Sequence, residues 1–482
     1  MRLAVIFRVL GTLLMLFSIT MLPPIGVSLF YEDGHVRPFL VGFFIILLLG
    51  IVCWLPTRRA HKELRTRDGF FITVLIWTVL CLAGAIPLYL SEQPNLPLAD
   101  ALFEAVSGLT TTGATVMTGI DDLPQSILWY RQQLHWLGGM GIIVLAVAVL
   151  PMLGIGGMQL YRAEAPGPVK DNKLKPRITE TAKALWYIYL GLTLLCALAY
   201  WAAGMTPFDA IGHAFSTVST GGFSTHDASI GYFNSPAIDL ITILFMLAGA
   251  VGFALHFMAL RNRNPLVYFR DPEFSFYLGV IGVISLVTVT ILIATRQYDV
   301  PTALLNGVFE VVSIATSTGY MKADFSMWPL FLPFLLFVVS FMGGCVGSTA
   351  GGMKVMRVLL IYKQGLREVR RLIHPNAVVP VKLGRRLVPD RVLEAVWGFF
   401  SIYMFMFVVL LLILLATGLD QVTAWSAVAA CINNLGPGLG DVTYHFGNLS
   451  DTAKWVLSFA MLLGRLEVFT VLILLTPEFW RR

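Results

Sequence analysis

Long apolar runs alternate with short polar interruptions along the chain, and the lengths of the runs predict membrane-spanning helices. Ten runs carry the pattern, at 9-30, 38-56, 70-91, 130-153, 183-204, 236-260, 276-296, 329-364, 393-417 and 452-476. A helix rises about 1.5 Å per residue, so about 20 apolar residues cross a hydrocarbon core about 30 Å thick. Composition strengthens the reading: of 482 residues 57% are hydrophobic and 13% charged, more apolar surface than a water-soluble core can hide. The first run follows Arg2 and Arg8 as a signal peptide would, but it is long and lacks a small-residue cleavage site, so it reads as a retained helix. Cys53, Cys81, Cys196, Cys345 and Cys431 lie in apolar or loop stretches without paired metal spacing and read as small packing residues.

Charge gives the runs a direction. Arg58, Arg59, Lys62, Arg65 and Arg67 follow the second run, and Arg162, Lys170, Lys173, Lys175 and Arg177 follow the fourth. Further basic residues follow the sixth (Arg261, Arg263, Arg270), the eighth (Lys354 to Arg391) and the tenth (Arg481, Arg482). Short cytoplasmic loops are enriched in Lys and Arg, so both termini are expected in the cytoplasm. The opposite loops carry Asp100, Glu104, Asp121, Asp122, Asp209, Asp227, Asp420, Asp441 and Asp451. The net charge of +6 is therefore a topology signal and not a nucleic-acid footprint.

Four polar interruptions on the acidic side align without gaps on Gly113, Gly222, Gly319 and Gly436. They read DALFEAVSGLTTTGAT, DAIGHAFSTVSTGGFS, NGVFEVVSIATSTGYM and TAWSAVAACINNLGPG. The glycines are 109, 97 and 117 residues apart, so the repeating unit is a whole helix, loop and helix. About a dozen helix-compatible residues precede each glycine, enough for about 18 Å, or half a bilayer. These segments are expected to be re-entrant half-helices, with Pro97, Pro207 and Pro301 near three starts and Thr206 and Asp420 as caps.

Half-helices entering from outside aim the partial negative charge of their C-terminal ends at the membrane centre, which favours a cation. The non-helical return that follows is tolerated at depth only where it lines a watery path or is buried in protein. Four such returns around one axis would replace the hydration shell of a monovalent cation with carbonyl and hydroxyl oxygens. The expected filter residues are Thr111, Thr112 and Gly113; Thr220, Gly221 and Gly222; Ser317, Thr318 and Gly319; and Asn434, Leu435 and Gly436. Close helix packing by small residues is the competing explanation for one segment, and it weakens for four in register.

Several long motifs carry a family resemblance: LTTTGAT at 109-115, GGMGIIVLAVAVLP at 138-151, GMQLYRAEAPGP at 157-168, GGFSTHDASIGYF at 221-233, GGCVGSTAGGMK at 343-354, NNLGPGLG at 433-440 and LLGRLEVFT at 462-470. Through them nearly the whole chain resembles the TrkH/TrkG potassium uptake proteins of bacteria, in the Trk/Ktr/HKT superfamily. The resemblance implies an all-α membrane protein with ten transmembrane helices. Eight of them would form four parallel helix-pore loop-helix repeats around a central pseudo-fourfold ion pathway, after a two-helix N-terminal addition. The expected divisions are 1-66, 67-170, 171-270, 271-390 and 391-482. It further implies K+ as the transported ion with no organic cofactor, a homodimer in the bacterial inner membrane, membrane lipid as a partner, and a cytoplasmic nucleotide-binding regulator of the TrkA type.

The eighth run is too long for one crossing, since residues 329-364 would make a helix of about 54 Å. A break is expected at Gly343, Gly344, Gly347, Ser348, Thr349, Gly351 and Gly352. That stretch is superficially like a phosphate-binding loop but has no Gly-Lys-Ser/Thr ending and no preceding strand. The resemblance puts an intramembrane gate there. Arg465, deep in the tenth run, is expected to face the same path, the alternative being a salt bridge to Glu467. A gated cation pathway fits parallel repeats better than inverted-repeat transport does. Proton- or sodium-coupled symport would need a buried titratable group, for which Glu104, Glu310 and His213 are candidates. Catalysis is not expected, because His213, His226 and Asp227 form no paired helical metal site.

Overall fold

The computed structural model describes residues 3–60, 65–144, 174–384 and 386–481. Apolar runs become helices in the order the hydropathy predicts. The first run is α1 (Leu3–Ile19) and α2 (Leu22–Tyr31), and the chain returns as α3 (Val36–Trp54). Helices α1 and α3 pack along each other, with the Gly50 carbonyl against Gly11, because small residues let membrane helices approach closely.

From there the order long helix, short helix, irregular return, second helix recurs four times. The first unit is α4 (Thr66–Leu90), α5 (Leu98–Leu109) and α6 (Gln125–Val144). The second is α7 (Leu174–Ala202), α8 (Pro207–Val218), then α9 (Pro236–Gly249) and α10 (Phe253–Asn262). After the short α11 (Leu266–Arg270), the third is α12 (Pro272–Ala294), α13 (Val300–Ala315), α14 (Leu332–Ser340) and α15 (Val355–Ile373). A two-stranded hairpin, β1 (Lys382–Leu383) and β2 (Arg386–Leu387), leads to the fourth: α16 (Asp390–Ala416), α17 (Gln421–Ile432), α18 (Asp451–Arg465) and α19 (Val468–Leu472). The chain ends at α20 (Pro477–Trp480).

The short helices α5, α8, α13 and α17 have 12, 12, 16 and 12 residues and are buried on nearly every side. Their starts match the sequence signals. The Thr206 hydroxyl accepts from the Asp209 N–H, and the Asp420 carboxylate accepts from the N–H groups of Val422 and Thr423, each satisfying donors a helix start leaves open.

Two runs that read as straight crossings are sharply bent. Helices α9 and α10 meet at 96°, and α18 meets the segment beginning at Val468 at 113°. The eighth run breaks as expected, with residues 341–354 non-helical between α14 and α15. Hydropathy cannot disclose such bends, since they exchange one set of backbone partners for another without changing composition. At the first, the Ala250 carbonyl accepts from Cys345 N–H (2.8 Å) and the Phe253 N–H donates to Gly347 (3.1 Å). Among the described residues six helices are long and apolar enough to cross a membrane, or up to eight if each bent pair is one span. The chain is thus a multi-pass helical membrane protein. The ten expected runs also include 130-153, which passes beyond the described residues at 145, and the broken 329-364.

Candidate functional site

The four half-helices end in the same backbone motif. Each closes with a residue in the left-handed region: Thr111 (φ 51°), Thr220 (φ 51°), Ser317 (φ 54°) and Asn434 (φ 52°). Beyond them, the N–H groups of Thr112, Gly221, Thr318 and Leu435 reach back to the carbonyls of Ser107, Ser216, Ser313 and Ala430 at 2.8–2.9 Å. This is a Schellman cap made four times, which satisfies helix-end carbonyls and turns the chain sharply. Glycine usually takes the left-handed position, and another residue there costs about 1–3 kcal/mol. Three hydroxyls and one amide hold it here, so polar side chains are kept at that cost.

Two residues on, Gly113, Gly222, Gly319 and Gly436 have φ of 82°, 88°, 77° and 102°. A Cβ on Gly113 would collide with the Gly221 carbonyl oxygen, one on Gly222 with that of Thr318, and one on Gly319 with that of Leu435. One on Gly436 would meet the Thr112 oxygen at 2.8 Å. Each carbonyl belongs to the residue just before the central glycine of the next unit, and the fourth contact returns to the first loop. The contacts therefore close a ring. A cavity of about 260 Å³ opens on it, lined by all four glycines together with Asp227, Asp324 and Lys322.

The groups nine positions before the central glycines hold the returns to their half-helices. Glu104 accepts from Val116 N–H (3.0 Å) and from Arg131 Nε (2.8 Å), and Glu310 accepts from the N–H groups of Lys322 (2.7 Å) and Ala323 (2.9 Å). His213 pairs with the Ser224 hydroxyl at 2.9 Å. In the fourth unit Ser426 does this work, one position earlier, on both polar groups of Leu439. Arg131 escaped the sequence reading, although an arginine at the head of an apolar run was its signal. It is buried, donates to the Ser224 carbonyl (3.2 Å) and lies 4.2 Å over the Phe223 ring, so it joins the first unit to the second loop. Tyr320, beside Gly319, turns its ring away and donates to the His213 carbonyl at 3.1 Å.

At the acidic mouth, His226 stacks on Tyr232 with ring centroids 3.5 Å apart and meets Asp121 at 2.5 Å and Asp209 at 3.5 Å. Burial alone pushes the imidazolium down, but its hydrogen bonds to the Asp209 and Asp121 carboxylates outweigh that and raise His226 above its usual value. Asp121 is held below the carboxylate range despite its own burial, by His226 and the Asp227 N–H.

Beneath the ring lies the non-helical stretch 341–354. Gly343, Gly347 and Gly352 have φ of 63°, 75° and 72°, conformations that side chains resist. Gly351 N–H donates to the Ser317 hydroxyl (2.6 Å), Gly352 N–H to the Asn433 carbonyl (3.0 Å), and the Thr349 hydroxyl to the Val218 carbonyl (3.0 Å). Ser348 bonds locally to Cys345, and the Gly344 carbonyl accepts from Val355 N–H at the neck of the loop. The loop thus touches the second, third and fourth half-helix ends. Arg465 takes the remaining one, donating from Nη2 to Thr111 Oγ1 at 2.7 Å, and its Nε has no partner among the described residues. Its expected alternative partner, Glu467, pairs instead with Arg357 at 2.8 Å.

The basic end of the molecule changes the sequence reading in one respect. Arg367 is buried and pairs with Asp390 (2.7 Å), so it fastens α15 to α16, whereas Arg370 and Arg371 are exposed. The expected basic loop at 162-177 lies largely outside the described residues, as does the motif at 157-168.

Known proteins match this chain in sequence and in overall fold. The family model for TrkH cation transport proteins matches residues 35–482. The chain is 60% identical to the Trk system potassium uptake protein TrkH of Halomonas elongata, over 100% of both chains. It is 54% identical, again over 100% of both, to the Escherichia coli (strain K12) protein of the same name. The crystal structure of the potassium transporter TrkH from Vibrio parahaemolyticus superposes with a TM-score of 0.94 at 54% identity, covering 100% of each chain. With a family match from residue 35 to the last and full-length relatives above half identity, the chain belongs to the TrkH family of cation transport proteins.

Proposed function

We propose that the chain is the potassium-translocating membrane subunit of a Trk-type potassium uptake system. The observation that carries the reading is the closed ring in which each central glycine packs against a carbonyl of the next loop. Potassium is the cargo. The residues from Thr111 to Gly113, Thr220 to Gly222, Ser317 to Gly319 and Asn434 to Gly436 form the filter, and their oxygens replace the hydration shell of the ion. Ten membrane crossings serve it: two N-terminal helices, then four helix-pore loop-helix units in pseudo-fourfold order. The negative ends of four half-helices add a field that favours a cation.

In this reading the cavity over the ring is the outer mouth, both termini face the cytoplasm, and the protein sits in the bacterial inner membrane. The loop at 343–352 is the gate, with Arg465 as an electrostatic barrier beside it. The chain works as a homodimer under a cytoplasmic nucleotide-binding regulator of the TrkA type. Coupled symport is the weaker reading, because Glu104, His213 and Glu310 all have scaffold partners in the filter returns. Flux of K+ or Rb+ through purified protein in liposomes tests the proposal, with proton and sodium gradients imposed independently. A flux that follows the K+ gradient and voltage supports it. Uptake driven by a proton or sodium gradient alone would establish the symport reading instead.

A further inference from the structure

The non-helical stretch under the ring reaches a long way from its own helices, yet its two flanks converge on one atom. Oε1 of Glu273 accepts from the N–H of Val346 at 2.8 Å and from the N–H of Met356 at 3.1 Å. Glu273 is buried in the first turn of α12. The two donors bracket the segment from Gly347 to Gly352. Through Gly351, Gly352 and Thr349 that segment contacts three half-helix ends, so the spot where its flanks are pinned sets where it sits.

We propose that Glu273 is a positioning residue for the gate: it latches both ends of the loop to α12 and so holds the loop closed under the filter. This rests on the gate reading given above. The latch differs in kind from the loop's other contacts. Those run to the half-helix ends, and to Gly249, Ala250 and Phe253 at the bend of the second unit. Among the described residues outside the loop, Glu273 alone bonds both flanks at once, from the outer helix of the loop's own unit. Opening the loop means breaking both bonds and leaving two backbone donors without a partner, and a buried donor left unsatisfied is costly. A movement of the cytoplasmic helix α15 has a direct route to the gate, because Met356 is the second residue of α15.

Cys345, next to Val346, reports on the latch without reference to transport. It is buried, as are Cys81, Cys196 and Cys431, and only Cys53 is partly exposed. In a Cys53→Ser background, the rate of Cys345 alkylation by a membrane-permeant maleimide measures release of the loop, and Cys431 serves as an internal control. Glu273→Ala is expected to speed Cys345 alkylation by about tenfold or more, the loss of two such bonds, with Cys431 unchanged. Ion flux without a regulator should rise with it. Glu273→Gln keeps an acceptor oxygen at the same reach and is expected to restore most of the protection. Wild-type alkylation of Cys345 in Glu273→Ala overturns the latch, as does a parallel rise at Cys431, which would mean general loosening. Failure of the gate itself gives a different result: fast alkylation of Cys345 with flux unchanged in Glu273→Ala and in a deletion within Gly347 to Gly351.

Discussion

The Arg465 guanidinium donates to the Thr111 hydroxyl across 2.7 Å, so a buried cation of the fourth unit rests on the left-handed cap of the first. The loop at 341–354 occupies the corresponding place under the other three half-helices. Together the two elements cover all four ends, one by electrostatics and one by volume. Like charges about 4 Å apart repel by about 4 kcal/mol at an effective dielectric constant near 20, and each 1.4 kcal/mol is a factor of ten. Arg465→Ala is therefore expected to raise K+ flux at least about tenfold in liposomes without a regulator. A deletion within Gly347 to Gly351 should raise it too, and the combination most. Folded variants with wild-type flux at every voltage would remove both elements from the ion path.

Replacing the central glycines should damage selectivity in a predictable order. A Cβ at Gly113, Gly222 or Gly319 collides outright with a carbonyl oxygen of the next loop, while at Gly436 the approach is 2.8 Å. Alanine or serine at the first three is expected to lower the K+ to Na+ flux ratio sharply, and at Gly436 the least. Equal ratios in all four variants and the wild type would break the link between ring and selectivity.

The His226 cluster should make stability depend on pH. Its folded-state value lies above the ordinary imidazole value of about 6.5. The bridge between Asp121 and Asp209 thus contributes fully below that ordinary value and is lost as pH rises through the raised one. Thermal melts of detergent-solubilised wild type and His226→Gln are expected to differ most near pH 6 and to converge on the alkaline side. A gap that stays constant or widens with pH would mean that His226 acts as a neutral packing group on Tyr232.

On the basic end, charge reversal should separate docking from folding. Arg370 and Arg371 are exposed, so Glu at both is expected to weaken co-purification with a TrkA-type regulator while leaving expression unchanged. Arg367→Glu should instead reduce stability, because it opposes the Asp390 carboxylate with a like charge. Undiminished regulator binding by the double variant would move the docking surface elsewhere.

Much of this molecule is written in local pattern. A short helix before each central glycine, the caps at Thr206 and Asp420, and the break in the eighth run all follow from spacing, because helix rise and bilayer thickness are fixed lengths. The aligned glycines likewise reported a need for positive φ that no other residue meets cheaply.

Partner choice was decided only by the fold. The bends after Gly249 and Arg465 depend on backbone groups bonding to a loop about 100 residues away or sitting beside an ion pair, neither of which alters hydropathy. The sequence placed Thr111, Thr220, Ser317 and Asn434 in one column, but their left-handed caps needed surroundings tight enough to impose an unfavourable φ on residues that carry a Cβ. Arg367 looked like its exposed neighbours until α16 brought Asp390 against it, and Arg465 looked equally able to pair with Glu467 until Arg357 took that carboxylate. Periodicity and length act along the chain and are legible there. Which buried charge meets which oxygen is settled by contacts between units, where distance in sequence carries no information.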